Sequence, residues 1–180
     1  DEISEYIIDI LQRKPYLKFY ICGHSLGGAL ANLSLGYFAL SDNPIHVDAV
    51  YTVGQPCVGN RKFRQQLELA TQDTKYFRIT NNQDCVPSLA SGQHCGDHLH
   101  IDAKGRTSFN PSTWNRAVQS VSRMKGAAVS MQYAGIADHG SPKYKRVIEK
   151  LWVKAAPSGE KSESYSLCEI LLYLIDMLQE

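Results

Sequence analysis

One short stretch, GHSLGG at residues 23–28, constrains this 180-residue chain more than any other. It follows an aromatic and β-branched run, 18–22, that is typical of a short buried strand, and it precedes an Ala- and Leu-rich run, 29–40, that favours a helix. A serine held at a sharp strand-to-helix turn has its hydroxyl pushed out above the sheet. In this setting the pattern G-x-S-x-G predicts a nucleophile elbow, with Ser25 as the nucleophile.

The same turn predicts two further features. Gly23 and Gly27 are expected to let the strand and the helix pass close to each other. The backbone N–H of Leu26, at the start of the helix, is expected to point at the reacting carbonyl and to act as one donor of an oxyanion hole.

Strand-like and helix-like patterns alternate along the rest of the chain. Helices are predicted at 3–11, 29–40, 61–70 and 143–153, and strands at 17–22, 47–53, 75–80 and 99–101. Such alternation predicts an α/β fold with a mostly parallel sheet flanked by helices. Residues 105–137 have helical character around Trp114 to Met124 and no clean period after it, and we interpret them as cover over the active face.

A serine nucleophile needs a base and a carboxylate that orients the base, and in elbow enzymes these follow in the order serine, acid, histidine. Asp84 lies just past the strand 75–80, at the carboxyl edge where such sheets place their sites. It is therefore the predicted acid, with Asp97 and Asp102 as alternatives.

The base must come from a histidine that follows the acid. His24 and His46 precede it, which leaves four candidates: His94, His98, His100 and His139. His98 and His100 alternate with apolar residues and so share one face of a short strand. His139 lies in the loop ADHGSP ahead of the last predicted helix of the domain, where it can be brought over the serine, and we predict it as the base.

The segment 94–100, HCGDHLH, also holds side chains that zinc accepts as ligands. Its spacing matches no common zinc pattern, so no metal site is predicted. We interpret the segment as a polar rim of the active site.

The charge and cysteine content of the chain bear on two further questions, whether it binds nucleic acid and whether it has a disulfide framework. Nineteen Lys and Arg against eighteen Asp and Glu, with no run of like charge, argue against a nucleic-acid partner. Five cysteines at irregular spacing indicate no disulfide framework and leave the compartment open.

We predict a domain over residues 1–154, then a polar linker and a C-terminal amphipathic helix within 155–180. The helix begins with an S-x-x-E capping box at Ser166 and Glu169, and its apolar stripe runs from Leu167 to Leu178. The stripe could contact a lipid interface, but the acidic residues beside it, Glu169 and Asp176, suit a protein surface better.

Three blocks of the chain resemble the fungal-type class 3 triacylglycerol lipases, which have the α/β-hydrolase fold. They are the elbow at 23–31, the stretch YTVGQPCVGN at 51–60, and the segment from Arg78 to Pro87 that contains Asp84. With Asp138, His139 and Tyr144 near the end, the resemblance covers residues 1–152.

The resemblance implies a serine carboxylic ester hydrolase that acts on lipid or other esters through an acyl-serine intermediate, with no metal or organic cofactor. It favours a triacylglycerol lipase and assigns Ser25, Asp84 and His139 as nucleophile, acid and base. Because many such lipases are secreted, it also tilts the expected location toward the extracellular space.

Members of that family carry several strands, a lid and a second oxyanion donor before the elbow, whereas 24 residues precede Ser25 here. We therefore expect a domain that is incomplete at its N-terminus, with the strand 18–22 at an exposed apolar edge that invites self-association or a protein partner. The alternative functions are a non-catalytic lipase-like binding or assembly module, or a fragment that needs a partner for activity.

Overall fold

The computed structural model describes residues 2–110 and 135–155, with side chains up to Glu149. Its helices are α1 (Glu2–Arg13), α2 (Leu26–Leu40), α3 (Arg61–Ala70) and α4 (Ser141–Ala155). Its strands are β1 (Tyr20–His24), β2 (Ala49–Val53), β3 (Lys75–Asn81), β4 (Asp97–Ile101) and β5 (Thr107–Phe109). A 3₁₀ turn spans Val86–Ser88, and residues 135–139 are helical.

These strands form one five-stranded sheet in the order β1-β2-β3-β4-β5. The first four are parallel, and β5 pairs antiparallel with β4. The predicted, mostly parallel sheet is thus confirmed. Strand β5 was missed, and it lies in the stretch that was interpreted as cover over the active face. Residues 111–134 of that stretch lie outside the described part of the chain.

Apolar side chains cover both faces of the sheet. On one face, Tyr144 and Ile148 of α4 pack against a cluster that includes Tyr51, Val53 and Ile79. On the other face, residues of α1, α2 and α3 pack against the alternate side chains of the same strands. Strand β2 is buried along its whole length, as expected for a strand with neighbours on both sides and helices on both faces.

The predicted edge position of the strand before Ser25 is confirmed within the described sheet. Strand β1 pairs with β2 on one side, and its residues Tyr20, Ile21 and Cys22 are only half-buried. Helix α2 is apolar on all sides, and one row of its large side chains lies in solvent: Leu26, Leu30, Leu33, Tyr37 and Leu40. The surface beside the elbow is therefore unusually apolar.

Two expectations stay predictions because of where they fall. The domain boundary near Lys154 lies at the end of the described residues, and the linker and C-terminal helix lie beyond them. Among the described helices, none is both long enough and apolar enough to cross a membrane.

Candidate active site

Ser25 sits at a strained turn between β1 and α2. Its φ of 56° and ψ of −123° are a conformation that a side-chain-bearing residue rarely adopts. The backbone N–H of Ser25 donates to Val53 O of β2 at 2.9 Å, which ties the turn to the neighbouring strand. The strand–serine–helix geometry of a nucleophile elbow is therefore present.

Close packing against described atoms requires glycine at only one of the two glycine positions of the pattern. A Cβ at Gly23 would lie 2.2 Å from Gly27 O, so the strand and helix pass too close for any side chain there. A Cβ at Gly27 would meet no described atom within 4 Å, so the expectation of close approach was wrong for that position. The second close approach is instead at Gly28, where an added Cβ would lie 3.0 Å from Cβ of Gln55.

Ser25, His139 and Asp84 form a chain of hydrogen bonds at the carboxyl edge of the sheet. Nε2 of His139 lies 2.7 Å from Oγ of Ser25, and Nδ1 lies 3.0 Å from Oδ2 and 3.1 Å from Oδ1 of Asp84. A carboxylate only accepts, so Nδ1 carries the hydrogen and Nε2 presents its lone pair to the serine hydroxyl. The side chain of Asp84 is 1% exposed and that of His139 is 15% exposed.

The carboxylate of Asp84 is held from several directions. Its Oδ1 accepts the backbone N–H of Val86 at 2.9 Å, which fixes the side chain against the turn that follows β3. Its Oδ2 accepts the hydroxyl of Tyr144 from α4 at 2.6 Å, and that hydroxyl accepts the N–H of Asn81 at 3.0 Å. Tyr144 therefore joins α4 to both the end of β3 and the carboxylate.

Tyr144 can act only as a donor to Asp84 while its hydroxyl keeps its proton. Burial and the neighbouring Asp84 carboxylate raise the pKa of Tyr144 well above its usual value. The phenol therefore keeps its proton near neutral pH and can donate its hydrogen bond to the acid.

A separate set of hydrogen bonds holds the segment 135–139, which carries His139 and is helical where a loop was predicted. The carboxylate of Asp138 accepts hydrogen bonds from Nδ2 of Asn82 at 2.8 Å and from the N–H of Gln83 at 3.3 Å. The backbone O of Asp138 accepts a third from Nδ2 of Asn81 at 3.0 Å. The segment 135–139 is thus fixed to the turn that carries Asp84. Sequence reasoning did not find this role, because the partners lie more than fifty positions apart.

Gly54, just after β2, leaves the space in which the acid and base meet. Its φ is +60°, and an added Cβ would lie 2.9 Å from Oδ2 of Asp84 and 3.0 Å from Nδ1 of His139. The sequence offered one signal for it, since a glycine directly after a buried strand indicates a turn or a close approach. A side chain at this position would push the carboxylate and the imidazole apart.

We therefore expect Gly54→Ala to lower the rate of Ser25-dependent ester hydrolysis by about a hundredfold, because small misplacements of reacting groups have effects of that order. Gly105→Ala is the matched control: Gly105 has φ +72°, yet its Cβ would meet nothing within 4 Å. Both variants carry the same backbone strain, so equal losses of activity in the two would contradict the steric explanation.

The alternative acids have structural roles instead. Asp97 accepts from Nδ2 of Asn110 at 2.8 Å across β4 and β5. Asp102 accepts the backbone N–H groups of Lys104 and Arg106 at 2.8 and 2.9 Å, and closes the turn between these strands. Hydrogen bonds from the backbone and side chain of Arg106 lower the pKa of this exposed carboxyl.

The alternative bases lie elsewhere as well. His98 and His100 share one face of β4, as predicted, and both contact Oγ1 of Thr80, at 2.7 and 3.0 Å. His94 contacts Pro87 O at 2.9 Å. The interpretation of 94–100 as an active-site rim is not supported, because His94 and His98 line a different cleft of about 710 Å³ whose lining includes none of Ser25, Asp84 and His139.

Other reactive side chains offer no competing centre among residues 2–110 and 135–149. No group of three or more His, Cys, Asp or Glu side chains in this part could hold a metal ion. Cys22, Cys57, Cys85 and Cys95 are free thiols. Burial raises the pKa of Cys22 and of Cys95 to about 11, so both stay protonated and unreactive near neutral pH.

Leu26 begins α2 directly after Ser25. Its N–H is one of the first groups of the helix, which have no acceptor within the helix itself. It therefore lies at the end of the helix that attracts negative charge, and its role as an oxyanion donor stays a prediction.

The parallel sheet, the strained serine between β1 and α2, and the later acid and histidine define an α/β-hydrolase fold. The sequence profile described as Lipase (class 3) matches residues 1–94, just over half of the chain. The chain belongs to the class 3 lipase family.

Individual relatives agree with this assignment. A triacylglycerol lipase of Nicotiana tabacum is 38% identical over 85 residues, which is 44% of this chain and 15% of that protein. A secreted mono- and diacylglycerol lipase of Fusarium solani is 40% identical over 76 residues, 42% of this chain and 21% of that protein. The solved propeptide complex of Rhizomucor miehei lipase has a TM-score of 0.53 at 27% identity, over 63% of this chain and 38% of that one. The chain thus spans less than half the length of each.

Proposed function

We propose that this chain carries the catalytic centre of a serine ester hydrolase that cleaves acylglycerols. The observation that supports the proposal most is the hydrogen-bond chain from Oγ of Ser25 through both ring nitrogens of His139 to the buried carboxylate of Asp84. This arrangement of nucleophile, base and orienting acid is the one that acyl transfer through serine requires.

The proposed reaction follows from the positions of the atoms. Nε2 of His139 takes the proton of Ser25 as Oγ attacks the ester carbonyl, and Asp84 stabilises the imidazolium that forms. The N–H of Leu26 donates to the oxyanion. The C–O bond to the alcohol then breaks, and the proton on Nε2 passes to the leaving oxygen. A water molecule repeats the sequence on the acyl-serine, which releases the acid and restores Ser25.

The surface around Ser25 supports a substrate with an acyl chain. Leu26, directly beside the nucleophile, is 69% exposed, and Leu30 continues the apolar surface one turn along α2. An apolar surface next to the reacting serine favours a hydrocarbon chain over a polar substrate. The names of the tobacco and Fusarium relatives point the same way, and a lipid interface is the natural source of such substrates.

The test is hydrolysis of p-nitrophenyl esters of increasing acyl length, together with stoichiometric labelling of Ser25 by a fluorophosphonate. Both are expected for the parent protein, with turnover rising from acetate to longer chains. His139→Gln should lose both. His46→Gln is its matched control, since His46 is 62% exposed and contacts Asp48 rather than the site. A folded protein that neither turns over esters nor labels would favour the non-catalytic module instead.

We also propose that the protein acts outside the cell. The support is the Fusarium relative, which is described as secreted. Immunodetection of the protein in culture medium against the cell pellet tests the proposal, and retention in the pellet would contradict it.

A further inference from the structure

His24, the residue directly before Ser25, makes an unusual set of contacts with the base. Its Nε2 lies 2.9 Å from the backbone O of His139. Its ring stacks on the ring of His139, with centroids 4.8 Å apart and planes inclined by 27°. The ring of His24 also makes a T-shaped contact with the ring of Tyr144, with centroids 5.8 Å apart. One side chain thus touches both the backbone and the imidazole of the base.

The hydrogen bond to His139 O and the burial of His24 together favour one protonation state of its ring. A carbonyl oxygen only accepts, so Nε2 of His24 carries a hydrogen and donates it to His139 O. Nδ1 then presents a lone pair toward Oγ of Ser141, 3.5 Å away. Burial lowers the pKa of His24, and the neighbouring His139 ring lowers it as well. The hydrogen bond from His24 to His139 O and the charge of Asp84 act in the opposite direction, but the net effect is a lowered pKa. The neutral form is therefore favoured.

The bonds at the two ring nitrogens of His139 leave one motion uncontrolled. Ser25 and Asp84 hold the ring at opposite edges, which fixes it in its own plane but allows the plane to tilt about the line joining those two nitrogens. The ring of His24 lies against one face and blocks that tilt. Its hydrogen bond also anchors the His139 backbone to the residue adjacent to the nucleophile, so a single peptide bond links the anchor of the base to Ser25.

We propose that His24 is a positioning residue for His139: its hydrogen bond to the backbone O of His139 sets the distance between the base and Ser25, and its stacked ring makes the smaller contribution by limiting the tilt of the imidazole. This inference rests on the proposed function. The ionisable groups that face His24 are His139 of the helical segment 135–139, Asp84 after β3 and Tyr144 from α4. A neutral His24 adds no repulsion when His139 becomes an imidazolium during the reaction.

Two variants separate the hydrogen bond from ring contact. His24→Phe keeps a ring but removes the donor, whereas His24→Gln lacks the ring but can place an amide N–H near the position of Nε2. The rate of Ser25 labelling by a fluorophosphonate is expected to fall about tenfold in His24→Phe and to stay within about threefold of the parent in His24→Gln. With p-nitrophenyl butyrate, kcat should fall with the labelling rate while KM stays constant, because His24 is not placed to bind substrate.

His46→Phe is the matched control and should label like the parent. If His24→Phe does not fold, as judged by thermal unfolding, His24→Asn takes its place, because its amide is one methylene too short to reach His139 O. Labelling of His24→Phe at the parent rate, or labelling of His24→Gln as slow as that of His24→Phe, would overturn the inference alone. A parent protein that does not label would overturn the proposed function and this inference together.

Discussion

Replacing Ser25 with alanine is expected to abolish ester hydrolysis, with a fall in kcat of at least about 10⁴-fold, and to abolish fluorophosphonate labelling. The substitution removes Oγ of Ser25, the atom that is proposed to attack the carbonyl. The fold should be unaffected, because the hydrogen bond of residue 25 to Val53 O comes from the backbone, and alanine experiences the same backbone strain as serine at a φ of 56°.

The matched control is Ser41→Ala at the other end of α2, where Oγ of Ser41 donates to backbone oxygens of Phe38 and Asn43. It should keep full activity. Ser25→Gly extends the test, since glycine relieves the strain at the turn and should raise the unfolding temperature while remaining inactive. Residual turnover in Ser25→Ala at more than a percent of the parent rate would mean that another group attacks the ester.

Asp84→Asn is expected to lower kcat by about 10⁴-fold while the protein stays folded. In the variant, Oδ1 can still accept the N–H of Val86, so the amide nitrogen replaces Oδ2 and faces Nδ1 of His139. An amide N–H can only donate, which forces the hydrogen of the imidazole onto Nε2. The ring then has no lone pair to take the proton of Ser25.

Asp102→Asn provides the comparison for this loss. Asp102 also accepts backbone N–H groups in a turn, but it faces solvent and Arg106 instead of a histidine. Its replacement should leave kcat unchanged. If Asp84→Asn retained more than a tenth of parent activity, or if both variants were equally impaired, Asp84 would not be acting through the tautomer of His139.

Local features of this chain were predictable because their causes lie within a few residues. The elbow could be found because the glycines, the serine and the flanking strand and helix are contiguous, although α2 begins at Leu26, three residues earlier than the apolar run suggested. The parallel order followed from the alternation of strands and helices. The exposed edge at β1 followed from the few residues that precede it.

Contacts between distant segments were not predictable from one sequence. Tyr144 reaches Asp84 across 60 positions, and Asp138 reaches Asn82 across 56, and neither has a local pattern that indicates its partner. The three-residue strand β5 is fully exposed and too short for its alternation to be recognised. The contacts of His24 with His139 were equally hidden, because a histidine that precedes the acid was excluded as a base on chain order alone.

The route of the chain to His139 has a consequence for biosynthesis. The base follows Ser25 by 114 positions and Asp84 by 55, and α4, which holds it in place, comes later still. At ordinary translation speeds, a ribosome adds the 55 residues from Asp84 to His139 in about 3–11 s. During that interval the nascent chain has the predicted nucleophile and acid but not the predicted base, so we expect a partly synthesised molecule to be inert toward cellular esters until α4 docks.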